Sequence, residues 1–185
     1  MQLKHAIFAT AILFAVPFSA PAMAADWTVD YDKSSLGFEV PQGGKTLEGA
    51  FENWTASIDF DADAPQDSLI AAEIETGSAK TGNKQFDGML PSGDWFDASE
   101  FPTADFTSDN VMHIEGNRYK ADGVLTIKSV TLPIELEFTL DITGDTAHAV
   151  GTATLKRKEY GLGPAVNADT VGETVTVTLD LTATR

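Results

Sequence analysis

Apolar and polar residues alternate along most of the chain, and this period of two constrains the fold more than any other feature of the sequence. The segment TLPIELEFTL, residues 131–140, places five apolar side chains on one face and threonine and glutamate on the other. The segment ETVTVTLDLTA, residues 173–183, alternates in the same way. Such segments predict antiparallel strands that bury one face and expose the other to water.

One long strand-like segment, TLEGAFENWTASIDFD at residues 46–61, changes phase in its middle. Its apolar residues occupy odd positions up to Phe51 and even positions from Trp54 onward. A bulge or sharp bend near Glu52 and Asn53 would keep both apolar sets on one side of a sheet. Long strands that bend in this way are what the closure of a sheet into a barrel requires.

Turn-forming segments separate about eight predicted strands, and residues 77–101 form the main interruption because they lack alternation. This insertion predicts one or two short helices. Within it, Asp97 and Glu100 have the spacing of a capping box that begins one helical turn, and Pro102 suits the first position of the next strand. An all-β chain with one helical insertion predicts either a barrel or a sandwich.

The first 24 residues have the pattern of a secretory signal peptide. A short polar start is followed by an apolar core at residues 6–16, and the segment ends in the small-x-small pattern Ala22-Met23-Ala24. Cleavage after Ala24 would leave one domain, residues 25–185, and would place it in the periplasm. That domain contains no cysteine, so its core and its sheet must hold it together without disulfides.

The net charge and the scarcity of histidine and cysteine argue against several classes of function. Residues 25–185 carry 11 Lys and Arg against 28 Asp and Glu, a net charge of 11 − 28 = −17, which disfavours nucleic-acid binding. The only histidines there are His113 and His148, so neither a metal site nor a Ser-His-Asp triad is expected. We therefore predict no metal, no cofactor and no catalytic residues. An acid-dependent hydrolase, which would need two carboxylates in one cleft, is the least favoured alternative.

Several segments, in order, resemble one known family. They are WTVDYDKSSLGFEV, LEGAFENWTASIDFD, SGDWFDASEFPTADFTS, YKADGVLTIKSVTLPIELEF and LKRKEYGLG. The combination of D-W-F-D, F-P-x-A-x-F-x-S and G-x-L-T-I-K-x-V-T-x-P is specific. Along nearly the whole length of residues 25–185, the chain resembles the YceI-like family of periplasmic lipid- or polyisoprenoid-binding proteins.

The resemblance implies an extended lipocalin-like antiparallel β-barrel with a long hydrophobic tunnel. The tunnel would hold an amphiphile with an isoprenoid or fatty-acyl tail, so the family implies a carrier and not an enzyme. The D-W-F and LKRKEYGLG forms are similar to the branch associated with cytochrome b561-type membrane proteins. This similarity implies a quinone-like ligand and an inner-membrane partner of that type, and barrels of this kind also form homodimers.

Three positions depart from the family pattern. Ser34-Ser35 stands where the family often has His-Ser, Phe86-Asp87 where it often has Arg-Asp, and Ser129 where it often has Gly. The headgroup preference of the family is therefore not carried over to this chain. The apolar positions carry over better, because they depend only on barrel alternation.

Inward alternation and the aromatic residues of the insertion together predict which residues line the tunnel or form its lid. A small barrel can hold one apolar ligand, and bulky residues at its mouth can cover it. The alternative is a β-sandwich interaction module with a filled core and no small ligand. The predicted lining and lid residues are Phe38, Phe51, Trp54, Phe60, Phe86, Trp95, Phe96, Leu125, Ile127, Leu136 and Phe138.

Overall fold

The computed structural model describes residues 25–185, so the predicted signal peptide lies outside the described residues. This part of the chain forms one short α-helix, three single-turn 3-10 helices and eleven strand segments. No helix between residues 25 and 185 is long and apolar enough to cross a membrane. The elements are β1 (Ala25–Val29), β2 (Ser35–Gln42), β3 (Lys45–Phe51), β4 (Trp54–Phe60), β5 (Leu69–Glu75), β6 (Ala79–Lys80), α1 (Lys84–Met89), β7 (Thr103–Glu115), β8 (Arg118–Ile127), β9 (Val130–Thr143), β10 (Thr146–Lys156) and β11 (Thr174–Thr184).

All eleven segments belong to one antiparallel sheet that closes on itself. Its order is β1-β4-β5-β7-β8-β9-β10-β11, and β1 pairs with both β4 and β11. These eight strands form a closed barrel, because each of them has a neighbour on both sides. The closure confirms the predicted barrel and excludes the two-sheet sandwich that the alternation pattern had left open.

Three short segments lengthen one side of this barrel. Segments β2, β3 and β6 continue the sheet in the order β11-β2-β3-β6. In the chain, β2 follows β1, β3 precedes β4, and β6 follows β5. Three long strands therefore run from β1 into β2, from β3 into β4 and from β5 into β6. Their breaks lie near residues 30–34, 52–53 and 76–78, respectively. The barrel consequently consists of eight long strands, three of which bend at their breaks.

The predicted bend at Glu52 and Asn53 is confirmed, and Ser78 holds its backbone. The Glu52 N–H donates to the Ser78 carbonyl oxygen over 3.2 Å, and the Asn53 N–H donates to Ser78 Oγ over 3.1 Å. Leu47 and Phe51 before the bend, and Trp54, Ala56, Ile58 and Phe60 after it, all face the interior. The change of phase in the sequence is therefore a device that keeps one long strand apolar on its inner face.

The insertion contains one helix, and that helix begins where Asn83 caps it. Asn83 Oδ1 accepts a hydrogen bond from the Gln85 N–H over 2.9 Å. The capping box predicted at Asp97 is wrong, because Asp97 has a left-handed backbone (φ 50°) and its carboxylate meets only the Ser99 hydroxyl. The segment there is a tight turn, and Pro102 directly precedes β7.

Candidate functional site: an apolar tunnel through the barrel

A tunnel with a volume of about 260 Å³ runs through the barrel. Every barrel strand contributes at least one lining residue, and β8 contributes Leu125 and Ile127. All eleven residues predicted from the sequence as lining or lid lie on this tunnel. That they contact a ligand stays a prediction. They are Phe38, Phe51, Trp54, Phe60, Phe86, Trp95, Phe96, Leu125, Ile127, Leu136 and Phe138.

Small side chains keep the interior open. Seven alanines line the tunnel, and three of them, Ala147, Ala149 and Ala153, lie on β10 together with Gly151 on the same face. Their cross-strand neighbours on β9 and β11 are larger, namely isoleucine, leucine, valine and phenylalanine, except for Ala183 opposite Ala147. A filled barrel would need large residues here, so the alternation of small inward residues is what leaves room for a ligand. The corresponding signal in the sequence is AHAVGTATLK, residues 147–156, in which alanine or glycine occupies residues 147, 149, 151 and 153.

The tunnel has two halves that meet at a waist. The cap half is built around Phe38, Trp95 and Leu125, and the far half around Trp27 and Phe60. Phe106 and Leu136 pack against both halves, and Ala153 is the direct cross-strand neighbour of Leu136. We call this level the waist.

Aromatic side chains contact one another in each half. In the cap half, the ring of Phe51 lies 5.5 Å from that of Phe38 and 5.9 Å from that of Phe96, between ring centroids. In the far half, Tyr119 contacts Phe60 edge-on at 5.5 Å and stacks on Phe138 at 5.6 Å. These contacts fix rigid apolar walls, which a flexible hydrocarbon chain can follow without ordering the protein further.

The insertion and the loop between β10 and β11 cover the cap half together. The Gly163 N–H donates to the Asp94 carbonyl oxygen over 2.6 Å, and Lys128 Nζ donates to the Gly93 carbonyl oxygen over 3.1 Å. Gly163 packs so tightly against the Trp95 indole that a Cβ atom there would lie only 2.9 Å from the ring. Trp95 and Phe96 are both 8% exposed and line this end of the tunnel, and their role as a lid stays a prediction.

Arg157 organises the loop that forms part of this cover. Its guanidinium donates to five backbone carbonyl oxygens over 2.7–3.0 Å, and it lies over the Trp95 ring with Cζ 5.8 Å from the centroid. Burial lowers the pKa of Arg157, and the nearby Glu173 carboxylate partly opposes this. The sequence gives little sign of this role, because Arg157 stands between Lys156 and Lys158 in a basic run that is typical of a solvated surface. The accepting carbonyls belong to Leu162, Gly163, Val166, Val171 and Gly172.

The lining of the tunnel is almost entirely apolar. Of the residues that line it, only Gln42 and Arg157 are polar, and Arg157 already uses its donors on the backbone. The two histidines lie outside it: His148 Nε2 is 2.8 Å from Asp180 Oδ1, and His113 Nε2 is 2.8 Å from the Gly116 carbonyl oxygen. Within residues 25–185, no group of three or more His, Cys, Asp or Glu side chains could hold a metal ion. An apolar site of this kind can bind a hydrocarbon chain.

A family model described as "YceI-like domain" matches residues 27–183 of this chain. The chain belongs to the YceI-like family. A UPF0312 protein of Pseudomonas aeruginosa is 33% identical over 177 residues, covering 89% of this chain and 92% of that protein. A UPF0312 protein of Pseudomonas syringae pv. tomato is 29% identical and covers 95% of this chain and 96% of its own length.

Solved structures share the fold of this YceI-like chain. BcnA of Burkholderia cenocepacia superposes with a TM-score of 0.81 at 28% identity, covering 84% of this chain and 99% of that one. A polyisoprenoid binding domain from Saccharophagus degradans, implicated in plant cell wall breakdown, superposes with a TM-score of 0.65 at 15% identity. It covers 88% of this chain and 98% of that domain, and at this identity it shows the fold alone.

Two of the departures from the family pattern have structural roles in this YceI-like protein. Ser34 Oγ donates to the Asp30 carbonyl oxygen over 2.7 Å and accepts from the Thr182 N–H over 3.0 Å, which ties the break between β1 and β2 to β11. Phe86 lies on the tunnel lining. Neither position supplies a polar group to the tunnel, so any contact with a polar headgroup must come from elsewhere.

Proposed function

We propose that this protein is a periplasmic carrier that holds one long-chain amphiphile, with an isoprenoid, quinone-like or fatty-acyl tail, in the tunnel of its barrel. The observation that carries the proposal is the single apolar tunnel that extends through both halves of a closed barrel. Membership in the YceI-like family and the fold shared with a polyisoprenoid binding domain support a lipid-type ligand.

Burial of the tail would supply the affinity. Each buried methylene group contributes about 0.8 kcal/mol, so about ten of them contribute about 8 kcal/mol, which corresponds to a micromolar Kd. The walls are preformed, which limits the entropy lost on binding. Binding and release, rather than bond chemistry, is the activity that such a site supports.

The proposed location and partners follow from the predicted signal peptide and the resemblance. A periplasmic protein with a buried lipid would carry it across water between membrane-bound donors and acceptors. A cytochrome b561-type inner-membrane protein is our proposed acceptor for a quinone-like cargo. A homodimer is the assembly that the resemblance predicts.

The direct test is to identify what the protein carries. The protein is expressed with its own leader, purified from the periplasmic fraction, extracted with organic solvent, and the extract is analysed by mass spectrometry. We expect one equivalent of a long-chain amphiphile. The sequence contains three tryptophans, Trp27, Trp54 and Trp95, and all three line the tunnel, so intrinsic fluorescence reports on occupancy directly.

Delipidated protein provides the second measurement. Titration with prenyl and acyl amphiphiles should change the tryptophan emission in a saturable way. If the purified protein contains no stoichiometric lipid and no such titration changes the emission, the carrier proposal is wrong. Recovery of the protein only from the cytoplasmic fraction would contradict the proposed location separately.

A further inference from the structure

The inner face of the β2–β3 hairpin changes from apolar to polar towards its tip. Its cross-strand pairs run Leu36 with Phe51, Phe38 with Gly49, and Val40 with Leu47. The last pair, Gln42 with Lys45, has the same alternation and therefore shares this face. An extended amphiphile whose tail lies along the apolar pairs would have its head beside the last one.

The hairpin turn holds this last pair in place. Gly43 and Gly44 both have left-handed backbones, with φ of 55° and 79°, as a two-residue turn with two positive φ angles requires. Gln42 also bridges to Val171, and the carbonyl oxygen of Val171 accepts a hydrogen bond from Arg157. The tip is thus attached to the loop that covers the cap half of the tunnel.

The polar groups of this pair are available. Gln42 is half-buried on the tunnel lining, and its carboxamide has no hydrogen-bond partner among residues 25–185. Lys45 is exposed and forms no ion pair with any carboxylate in the described part of the chain. Arg157, the other polar lining residue, has all its donors engaged by carbonyl oxygens and cannot hold a headgroup without releasing the loop.

We infer that Gln42 and Lys45 form the headgroup site of the tunnel and that it selects a head with oxygen acceptors, such as a phosphate, a carboxylate or a carbonyl. This inference rests on the proposed carrier function. The Gln42 amide and the Lys45 ammonium both donate hydrogen bonds, so an acceptor oxygen is the group that both can bind. A cationic head would meet repulsion from Lys45, although the net charge of −17 on residues 25–185 attracts cations in general.

The test uses three probes with the same C20 tail: geranylgeranyl phosphate, geranylgeranylacetone, which has a neutral ketone head, and geranylgeranylamine. Binding is followed by tryptophan fluorescence with the whole protein. We expect the phosphate and the ketone to bind at least about tenfold more tightly than the amine, the difference that several lost or reversed polar contacts produce.

Two substitutions distinguish a phosphate headgroup from a neutral carbonyl headgroup. Gln42→Leu removes one hydrogen bond and should weaken both acceptor probes about two- to tenfold. Lys45→Met removes one exposed charge and should weaken only the phosphate, about two- to fivefold, with the effect shrinking as salt is raised. The matched controls are Gln66→Leu, at an exposed turn before β5, and Lys156→Met, outward-facing on β10; neither residue lines the tunnel.

Each outcome decides between the two proposals. Weaker phosphate binding on Lys45→Met supports a site that favours an anionic head, whereas weaker ketone binding on Gln42→Leu with unchanged phosphate binding on Lys45→Met supports a site that favours a neutral carbonyl head. If the probes bind but the two variants behave like their controls, or the amine binds best, the headgroup site is wrong and the carrier function stands. If no probe binds to the wild-type protein, the prenyl carrier itself is wrong and the headgroup site falls with it.

Discussion

Replacement of Ala153 by phenylalanine should block the tunnel at its waist. Ala153 faces the interior between Leu136 on β9 and Val177 on β11, and Leu136 packs against both halves of the tunnel. Ala153 is buried, and its methyl group lines the tunnel. A phenyl ring there would enter the path that a long chain must follow.

The expected loss of affinity follows from the methylene groups displaced. If the ring displaces about four methylene equivalents at about 0.8 kcal/mol each, binding weakens by about 3 kcal/mol, or about 200-fold. The free energy of unfolding should change by no more than about 1 kcal/mol, because the ring fills space that is already open instead of straining a packed core. Loss of binding should therefore occur in a protein that is as stable as the wild type.

Chain length makes the test specific. Geranyl phosphate is short enough to occupy one half of the tunnel, whereas geranylgeranyl phosphate must pass the waist. Ala153→Phe should weaken the longer probe about 200-fold and the shorter one by less than about fivefold. Thr154→Phe, which places the same ring on the outer face of the same strand, is the matched control.

Fluorescence titration and chemical denaturation of the three proteins measure both quantities. Equal losses for the short and the long probe would mean that the ring acts through a general distortion of the barrel. An unchanged affinity for the long probe would show that the tail does not cross the waist. The first result would refute the explanation that the ring acts by blocking the tunnel, and the second would refute the assignment of the tunnel as one continuous site.

Two further predictions concern the cover of the cap half. Arg157→Met should lower the free energy of unfolding by about 2–6 kcal/mol, since at least the buried carbonyls of Leu162 and Gly163 lose their donor. The stability of Arg157→Lys should fall between those of the wild type and Arg157→Met. Equal stability of the three proteins in urea would contradict the role of Arg157. The backbone N–H of Thr81, and then its hydroxyl, holds the pKa of Asp87 below its ordinary 3.8, against a smaller effect of burial. The contact therefore stabilises the start of the insertion above a pH of about 4 and is lost as pH falls through the lowered pKa. The protection factors of the insertion amides, which correct for the intrinsic pH dependence of exchange, should thus fall in acid for the wild type but not for Asp87→Asn, and identical protection at acid pH would refute this.

The alternation of the sequence determined the class of fold and most of the tunnel wall. An alternation of apolar and polar residues shows only that a strand has one apolar face. This is a local property of each alternating segment, such as residues 131–140 and 173–183. The phase change at Glu52 and Asn53 further identified a bent strand, because no straight strand could place Phe51 and Trp54 on the same side. These inferences needed no knowledge of which strands pair.

Only the tertiary structure could decide whether the sheet closes into a barrel and whether the interior of that barrel is open. A barrel and a sandwich have the same alternation, and they differ in whether β1 pairs with β4 and β11 at once, which is a contact between distant parts of the chain. Ala149 and Ala153 look like weak strand residues in the sequence, and they leave a tunnel only because the residues opposite them are too far away to fill the space.

The polar elements of the site depended most on the three-dimensional arrangement. Arg157 lies in a basic run that resembles a solvated surface, and only the loop folded around it shows that five carbonyls surround the guanidinium. In the sequence, Gln42 and Lys45 are recognisable only as the residues that flank a Gly-Gly turn. The pairing of their strands places them where they continue the inner face of the tunnel. Alternation specifies the apolar face of each strand, but the position of a polar group relative to the ligand depends on contacts that are distant in sequence.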